Sequence, residues 1–211
     1  MQEPLNTIVN YSNLLQSNFS DKLDSLGQKS LFYLNQGALR MSKLVKALLD
    51  YLQIGDNGKL ILINTNNEIN EVLNELEDLI KTTNAEIIVT ELPNFYGYQK
   101  EIKLLFKNLI SNALKFKEPT RNLIIEINAF EKKGHIEFTV KDNGIGIPED
   151  KFEDIFKVFK RLYRENQIKG IGIGLALCEK VIKLHKGKIW VNSTLDSGSI
   201  FTFTVRNHTK N

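Results

Sequence analysis

The stretch from 104 to 116 carries two asparagines, Asn108 and Asn112, four residues apart in an otherwise apolar helical pattern. This spacing places both carboxamides on the same face of a helix. Burying such a pair is costly unless polar groups meet it, because an unsatisfied amide inside a core loses its hydrogen bonds to water. The chain is therefore expected to fold so that something polar reaches this face. Asparagine oxygens are hard ligands suited to Mg²⁺, which usually arrives with nucleotide phosphates.

Two glycine clusters follow the asparagines, at 142–146 and at 170–175. Glycines let the backbone approach a ligand closely and expose N–H donors to phosphate. Alone, the first cluster is typical of a turn between strands, and an asparagine pair is typical of a solvated helix face. The second cluster does not fit the dinucleotide-binding fingerprint, because no clear strand precedes it and its third interval differs. The three motifs in this order favour a site for Mg-ATP.

This order of motifs resembles the catalytic core of the sensor histidine kinases, and most closely their phytochrome-like branch, over essentially the whole chain. The segments that carry the resemblance are the asparagine box (108–116), the first glycine box (142–146), the phenylalanine box (155–162) and the second glycine box (170–175). The resemblance implies a Bergerat-type ATP-binding fold. It also implies transfer of the γ-phosphoryl group of Mg-ATP to a histidine, followed by relay to an aspartate of a response regulator receiver domain.

The resemblance also implies roles for individual residues. Asn112 would coordinate Mg²⁺, with Asn108 assisting it or the phosphates, and Asp142 would accept a hydrogen bond from the adenine amine. Lys115 would approach the phosphates and Phe116 the adenine. The other residues expected at the ATP site are Gly144, Gly146, Ile147, Phe159, Gly170, Gly172, Gly174 and Leu175. The polar segment 157–169 is expected to act as a lid over the nucleotide.

Residues 1–55 have a different pattern, with two apolar seams in which residues step by three and four. These seams are Leu5, Ile8, Ser12, Leu15 and Phe19, and then Leu31, Leu34, Ala38, Met41, Val45, Leu48 and Leu52. Two helices joined by a short polar turn cannot bury both seams by themselves. Pairing with a second copy into a dimeric four-helix bundle is favoured over a monomeric hairpin docked on its own catalytic domain. We expect a dimerisation and phosphotransfer hairpin at 1–55.

Beyond a glycine-rich turn at 55–58, helical and strand patterns alternate. Strands are expected at 59–63, 86–90, 123–130, 135–142, 188–193 and 199–206, and helices at 69–81, 98–116 and 173–185. This order predicts an α/β sandwich with one sheet face covered by helices. The chain is therefore expected to be of the α+β class, with an N-terminal helical hairpin followed by a catalytic ATP-binding domain at 56–211.

The start of the chain, Gln2-Glu3-Pro4-Leu5, resembles the end of the family's phosphoacceptor box. Counting back from the proline places the expected histidine just before Met1, outside this sequence. The histidines present, His135, His185 and His208, fall on a strand, at a helix end and in a polar tail, and none is a good substitute. These 211 residues are thus expected to bind Mg-ATP without labelling themselves, although they could phosphorylate a separate bundle that carries the histidine.

The charge, the apolar runs and the cysteine content of the chain limit the classes of partner and the compartment that we expect. A net charge of +3 gives no case for nucleic acid. No apolar run is long enough to cross a bilayer and no signal-peptide pattern opens the chain, so we expect no membrane contact within it. Cys178, the one cysteine, lies in an apolar helical pattern and is expected to be a buried, inert thiol. A reducing, cytoplasmic compartment follows.

Two alternatives remain open. The first is an ATP-driven clamp of the same fold, related to heat-shock chaperones, mismatch-repair proteins or type II topoisomerases. Those ATPases activate water with a glutamate one helical turn before the metal-binding asparagine, whereas this chain has Asn108 there, and an amide cannot act as a general base. The second is a nucleotide-sensing dimerisation module without kinase activity.

Overall fold

The computed structural model describes residues 2–55, 58–162 and 172–206. The chain divides into two compact units, Met1–Gln53 and Ile54–Asn211. The first unit is a helical hairpin of α1 (Gln2–Phe19) and α2 (Ser25–Gln53), joined through a 3-10 turn at Ser20–Lys22. The Asp24 carboxylate accepts a hydrogen bond from the Gly27 N–H at 2.7 Å, and this capping contact fixes the start of α2.

The hairpin leaves much of its apolar surface uncovered. Ser12 on α1 and Asn35 and Ala38 on α2 are its buried residues. Most of the predicted seam lies outside this contact, since Ile8, Leu15, Phe19, Leu34, Met41, Leu48 and Leu52 are between 38% and 58% exposed. The contact between α1 and α2 therefore uses Ser12 and Ala38 of the predicted seams but leaves most of their large apolar residues exposed. The expectation that one hairpin cannot bury both seams agrees with these exposures.

The second unit contains four helices and seven strands within the described ranges. The helices are α3 (Thr65–Glu75), α4 (Glu77–Thr83), α5 (Gln99–Lys115) and α6 (Gly174–Leu184). The strands are β1 (Ile61–Ile63), β2 (Glu86–Val89), β3 (Phe95–Gly97), β4 (Ile124–Lys132), β5 (His135–Asp142), β6 (Ile189–Thr194) and β7 (Gly198–Arg206). Five strands form one sheet in the order β2-β4-β5-β7-β6, in which β2 and β4 are parallel and the other pairs antiparallel.

The core lies between this sheet and the helices. Phe106 of α5 contacts the rings of Phe138 on β5 and Phe203 on β7, with centroid distances of 5.8 and 5.5 Å. All three rings are fully buried, and each contributes on the order of 2–3 kcal/mol of hydrophobic stabilisation. Cys178 on α6 is also fully buried, and burial raises the pKa of its thiol, as expected for an inert cysteine. The buried apolar face of α5 leaves Asn108 and Asn112 on its half-buried flank.

The predicted α+β class is confirmed, with three local corrections. The single helix expected at 69–81 is wrong, because it begins earlier, at an Asn64 cap whose side chain accepts the Asn67 N–H, and breaks at Leu76. The strand expected at 59–63 shortens to Ile61–Ile63. Its partner β3 was not predicted from sequence, since Phe95–Gly97 is too short to show an alternating pattern.

Candidate functional site

Asp142 is the last residue of β5 and lies opposite Ser199 on β7. Its side chain is buried, and its Oδ1 accepts the Gly144 N–H at 2.8 Å, while the Ser199 backbone N–H also donates to the carboxyl group. Burial raises the pKa of Asp142 to about 6, and the two backbone hydrogen bonds limit that rise. The residue is therefore a buried acceptor that is mainly ionised at neutral pH.

The first glycine segment is held close to the end of α5. The Ile145 N–H donates to the Phe116 carbonyl oxygen at 3.0 Å, and a side chain at Gly144 would collide with that same oxygen. Phe116, the C-cap of α5, is half-buried. The structure thus brings together Phe116, Gly144 and Asp142, three residues for which the resemblance implies a place at the ATP site.

The other side of the glycine segment is held by the turn between β6 and β7. The Asp196 N–H donates to the Ile145 carbonyl at 2.8 Å, and the Ile147 N–H donates to the Ser193 hydroxyl oxygen at 2.8 Å. Gly146 has a φ of 73°, and a Cβ there would collide with the Thr194 carbonyl oxygen. Glycine is required at this position both for its backbone conformation and for its close approach to the turn.

The two asparagines have different surroundings. The Asn108 amide donates to the Leu104 carbonyl at 2.8 Å. Its Oδ1 faces the start of α6, where a Cβ added at Gly174 would lie 2.7 Å from that oxygen. Within the described part of the chain, no hydrogen bond occupies the Asn112 side chain, which is half-buried. Its carboxamide oxygen is therefore available as a ligand.

Lys115 is the last residue of α5, directly before Phe116. It is an exposed residue, yet the surrounding protein desolvates its ammonium group and lowers its pKa. A lysine near a helix C-terminus also interacts favourably with the helix dipole. Its place at the end of the asparagine-bearing helix is compatible with the predicted contact to phosphate.

A close backbone contact joins Phe159, near the start of the predicted lid, to Gly172, three residues after its end. The Phe159 N–H donates to the Gly172 carbonyl at 2.8 Å, and both residues have left-handed φ values, 64° and 77°. A left-handed φ is unusual for an aromatic residue, and the Phe159 side chain is 53% exposed. Leu175 lies half-buried in the first turn of α6. Gly170 and residues 163–169 of the predicted lid lie outside the described residues, so the expectations for them stay predictions.

Sequence reasoning missed the hydroxyl groups behind Asp142. Besides accepting the Ile147 N–H, the Ser193 hydroxyl donates to the Gly198 carbonyl at 2.7 Å and lies 2.9 Å from the Ser199 hydroxyl. These serines link the glycine segment to the strand that faces Asp142. The alternating pattern at 188–206 predicts the two strands. It does not indicate that Ser193 bonds to Ile147, which lies 46 residues earlier in the chain.

The residues present suit a magnesium ion that is held mainly by phosphate. No group of three or more His, Cys, Asp or Glu side chains in residues 2–55, 58–162 and 172–206 could hold a metal ion. Mg²⁺ usually takes one or two protein oxygens and completes its octahedron with waters and substrate phosphates. The available carboxamide of Asn112 fits that pattern.

Among the described helices, none combines the length and the apolar character required to cross a bilayer.

Comparison with known proteins gives three findings. The family model described as "Histidine kinase-, DNA gyrase B-, and HSP90-like ATPase" matches residues 97–209. Cyanobacterial phytochrome A of Nostoc sp. strain PCC 7120 is 34% identical over 206 residues, which are 97% of this chain and 27% of that protein. The catalytic domain of histidine kinase ThkA is 28% identical with a TM-score of 0.61, over 71% of this chain and 98% of that structure.

A further solved structure is similar to this chain in fold. It is histidine kinase ThkA in complex with the response regulator protein TrrA, which is 23% identical with a TM-score of 0.67, over 97% of this chain and 59% of that one. This chain spans about a quarter of the length of the cyanobacterial phytochromes that it matches.

Proposed function

Because this chain belongs to the family of histidine kinase-, DNA gyrase B- and HSP90-like ATPases, we propose that it is the core of a two-component histidine kinase that binds Mg-ATP and transfers the γ-phosphoryl group to a histidine. Residues 56–211 form the catalytic domain, and residues 1–55 form the hairpin through which two copies of the chain dimerise. The reaction takes place in the cytoplasm, where ATP is supplied.

The observation that carries the proposal is the buried carboxyl group of Asp142 beside the end of α5. Burying a carboxylate away from water costs free energy unless hydrogen-bond donors contact it. Two backbone N–H groups do so here, and the adenine amine is a third donor of the right kind. Gly144 lets the first glycine segment approach Phe116 closely, because a Cβ there would collide with the Phe116 carbonyl oxygen.

The asparagines and the second glycine segment serve the phosphates. Asn112 would hold the magnesium ion, and Asn108 orients the start of α6 through its contact with Gly174. The ion, when bound, neutralises charge that develops on the transferred phosphoryl group. Gly172 and Gly174 leave backbone N–H groups accessible to phosphate oxygens. Lys115, three residues after Asn112, supplies positive charge.

Asn108 also separates this function from that of a clamp ATPase. Its amide donates to Leu104, so the position that a water-activating glutamate would occupy holds a group with no basic site. Efficient ATP hydrolysis is therefore not expected, and a kinase that protects the phosphoryl group from water is favoured. The ThkA complex with TrrA supports a receiver domain as the downstream partner.

The test is phosphoryl transfer in trans. The 211-residue protein is incubated with γ-labelled ATP, with and without a separate helical bundle that contains a phosphoacceptor histidine. We expect acid-labile label on the separate bundle, none on the chain itself, and weaker binding and transfer in Asp142→Asn. Label on the 211 residues alone would overturn the acceptor assignment, and rapid release of free phosphate without acceptor would favour a clamp ATPase.

A further inference from the structure

The start of α5, the asparagine-bearing helix, is held by other elements of the fold. Its N-cap residue, Tyr98, makes no capping hydrogen bond with its side chain. Instead the Tyr98 backbone N–H donates to His185 Nε2 at 3.0 Å, and the Gln99 side chain donates to the Glu68 carboxylate on α3. Helix starts need such partners, because their first N–H groups have none within the helix. The position of α5 therefore depends on residues outside it.

His185 joins the end of α6 to the start of α5. The ring is buried, and its Nδ1 lies 2.8 Å from the Val181 carbonyl oxygen in the last turn of α6. Because Nε2 accepts from Tyr98, the proton must be on Nδ1, which donates to Val181. Only this neutral tautomer satisfies both hydrogen bonds at once.

The ring has little room to adopt another orientation. A Cβ added at Gly97 would lie 3.0 Å from His185 Nε2 and 2.9 Å from the Ile63 side chain. The Tyr98 ring meets the imidazole edge-on at 5.4 Å. Gly58, in turn, passes so close to the Tyr98 ring that a Cβ there would lie 2.5 Å from it. The close approach of these glycines fixes the imidazole against the backbone of Tyr98.

The same two helices meet again at the candidate site. Gly174, the first residue of α6, lies against Asn108 in the middle of α5, whereas His185 follows the last residue of α6 and meets the start of α5. The helices are therefore antiparallel, and the Cys178 thiol, 3.8 Å from the Leu105 carbonyl, lies between the two contacts. A shift of α6 along α5 at the histidine end would move Gly174 relative to Asn108 by a similar amount.

We propose that His185 is a positioning residue for the phosphate side of the nucleotide site, because its two hydrogen bonds fix the register of α6 on α5. This inference rests on the proposed function, since it concerns the same ATP site. It does not extend to the adenine side, because Asp142 is carried by β5 and is held by Gly144 and Ser199. His185 acts through the helices and touches no nucleotide.

The test uses a matched pair of variants, His185→Asn and His185→Gln. Asparagine can replace only Nδ1, whereas the longer glutamine places an acceptor near the position of Nε2. We expect His185→Asn to weaken Mg-ATP binding about tenfold, in the range found for residues that orient a metal site indirectly. His185→Gln should recover most of that loss. Adenosine affinity, measured by ligand-observed NMR, should change less than about twofold in both, because the adenine corner at Asp142, Gly144 and Phe116 contains no residue of α6.

Equal loss of adenosine and Mg-ATP affinity, or unchanged Mg-ATP affinity in His185→Asn, would overturn the proposal. Should neither variant fold, the unmodified protein still decides the matter through the nitrogen chemical shifts of His185. Those shifts must report the Nδ1–H tautomer, and an Nε2–H tautomer or a doubly protonated ring would contradict it. If the unmodified protein fails to bind Mg-ATP at all, the proposed function fails instead.

Discussion

At the scale of single residues, Asp142 gives the site a pH dependence. Burial raises the pKa of its carboxyl group to about 6, so the group loses its charge as the pH falls through that value. The adenine amine needs an acceptor, and the ionised form is the better one. We therefore expect Mg-ATP affinity, measured by titration calorimetry, to decline from pH 7.5 to pH 5. The Asp142→Asn variant should bind weakly and decline less, because only the terminal phosphate of the nucleotide then titrates in this range. A profile no steeper in the unmodified protein than in the variant would contradict the assignment.

The raised pKa of Asp142 lowers the stability of the folded protein at neutral pH, whereas the lowered pKa of an ion-paired carboxylate increases it. Since the folded-state pKa lies above the ordinary value of 3.8 for an aspartate, the folded protein binds the proton more tightly than the unfolded chain. The ionised group then costs stability, a cost that is absent below pH 3.8 and complete above about pH 6. Relative to Asp142→Asn, the free energy of unfolding of the unmodified protein should fall by up to about 3 kcal/mol between pH 4 and pH 7. Denaturant titration at both pH values measures this, and a constant difference would refute it.

Asn112 is assigned to the metal ion, and that role can be separated from nucleotide binding in general. We expect Asn112→Ala to weaken ATP binding by about 10- to 100-fold when Mg²⁺ is present and by little when it is chelated. Asn74→Ala serves as the control, because Asn74 is an exposed asparagine on α3. A loss of the same size with and without Mg²⁺ would assign Asn112 a structural role instead.

At the scale of elements, substitutions at two glycines can measure how much the contact between the first glycine segment and the β6–β7 turn contributes to stability. Both Gly146 and Gly134 have a left-handed φ, but only Gly146 also packs tightly, against Thr194. A Cβ at Gly134 meets nothing within 4 Å, so Gly134→Ala should cost only the backbone strain, about 1 kcal/mol. Gly146→Ala should cost about 3 kcal/mol or more and lower ATP affinity. Equal unfolding midpoints in the two variants would mean that the contact is unimportant.

Sequence patterns predict elements where the pattern is long and local. The helix expected at 98–116 is found at Gln99–Lys115, and the strand expected at 135–142 is found as such. The break at Leu76 was not predictable from periodicity, because α3 and α4 continue the same apolar spacing. The role of Ser193 was not predictable either, because its partner Ile147 is close only after the sheet has formed.

At the scale of the whole molecule, the exposed seam of the hairpin predicts self-association. Leu34, Met41 and Leu52 are each about half exposed, which is a large apolar surface for a single chain to present to water. We expect twice the chain mass in light scattering at micromolar concentration, and a single chain mass for Leu34→Asp combined with Met41→Asp. Leu195→Asp, at an equally exposed leucine in the catalytic unit, should remain dimeric. A monomeric unmodified protein would contradict the proposed bundle.

The most direct test is a crystal structure of the protein with Mg²⁺ and a non-hydrolysable ATP analogue. We expect the adenine amine within hydrogen-bond distance of the Asp142 carboxylate, and the ion bound by the Asn112 oxygen together with the phosphates. An analogue bound elsewhere, or an Asp142 corner that stays closed by protein side chains at saturating analogue, would contradict it.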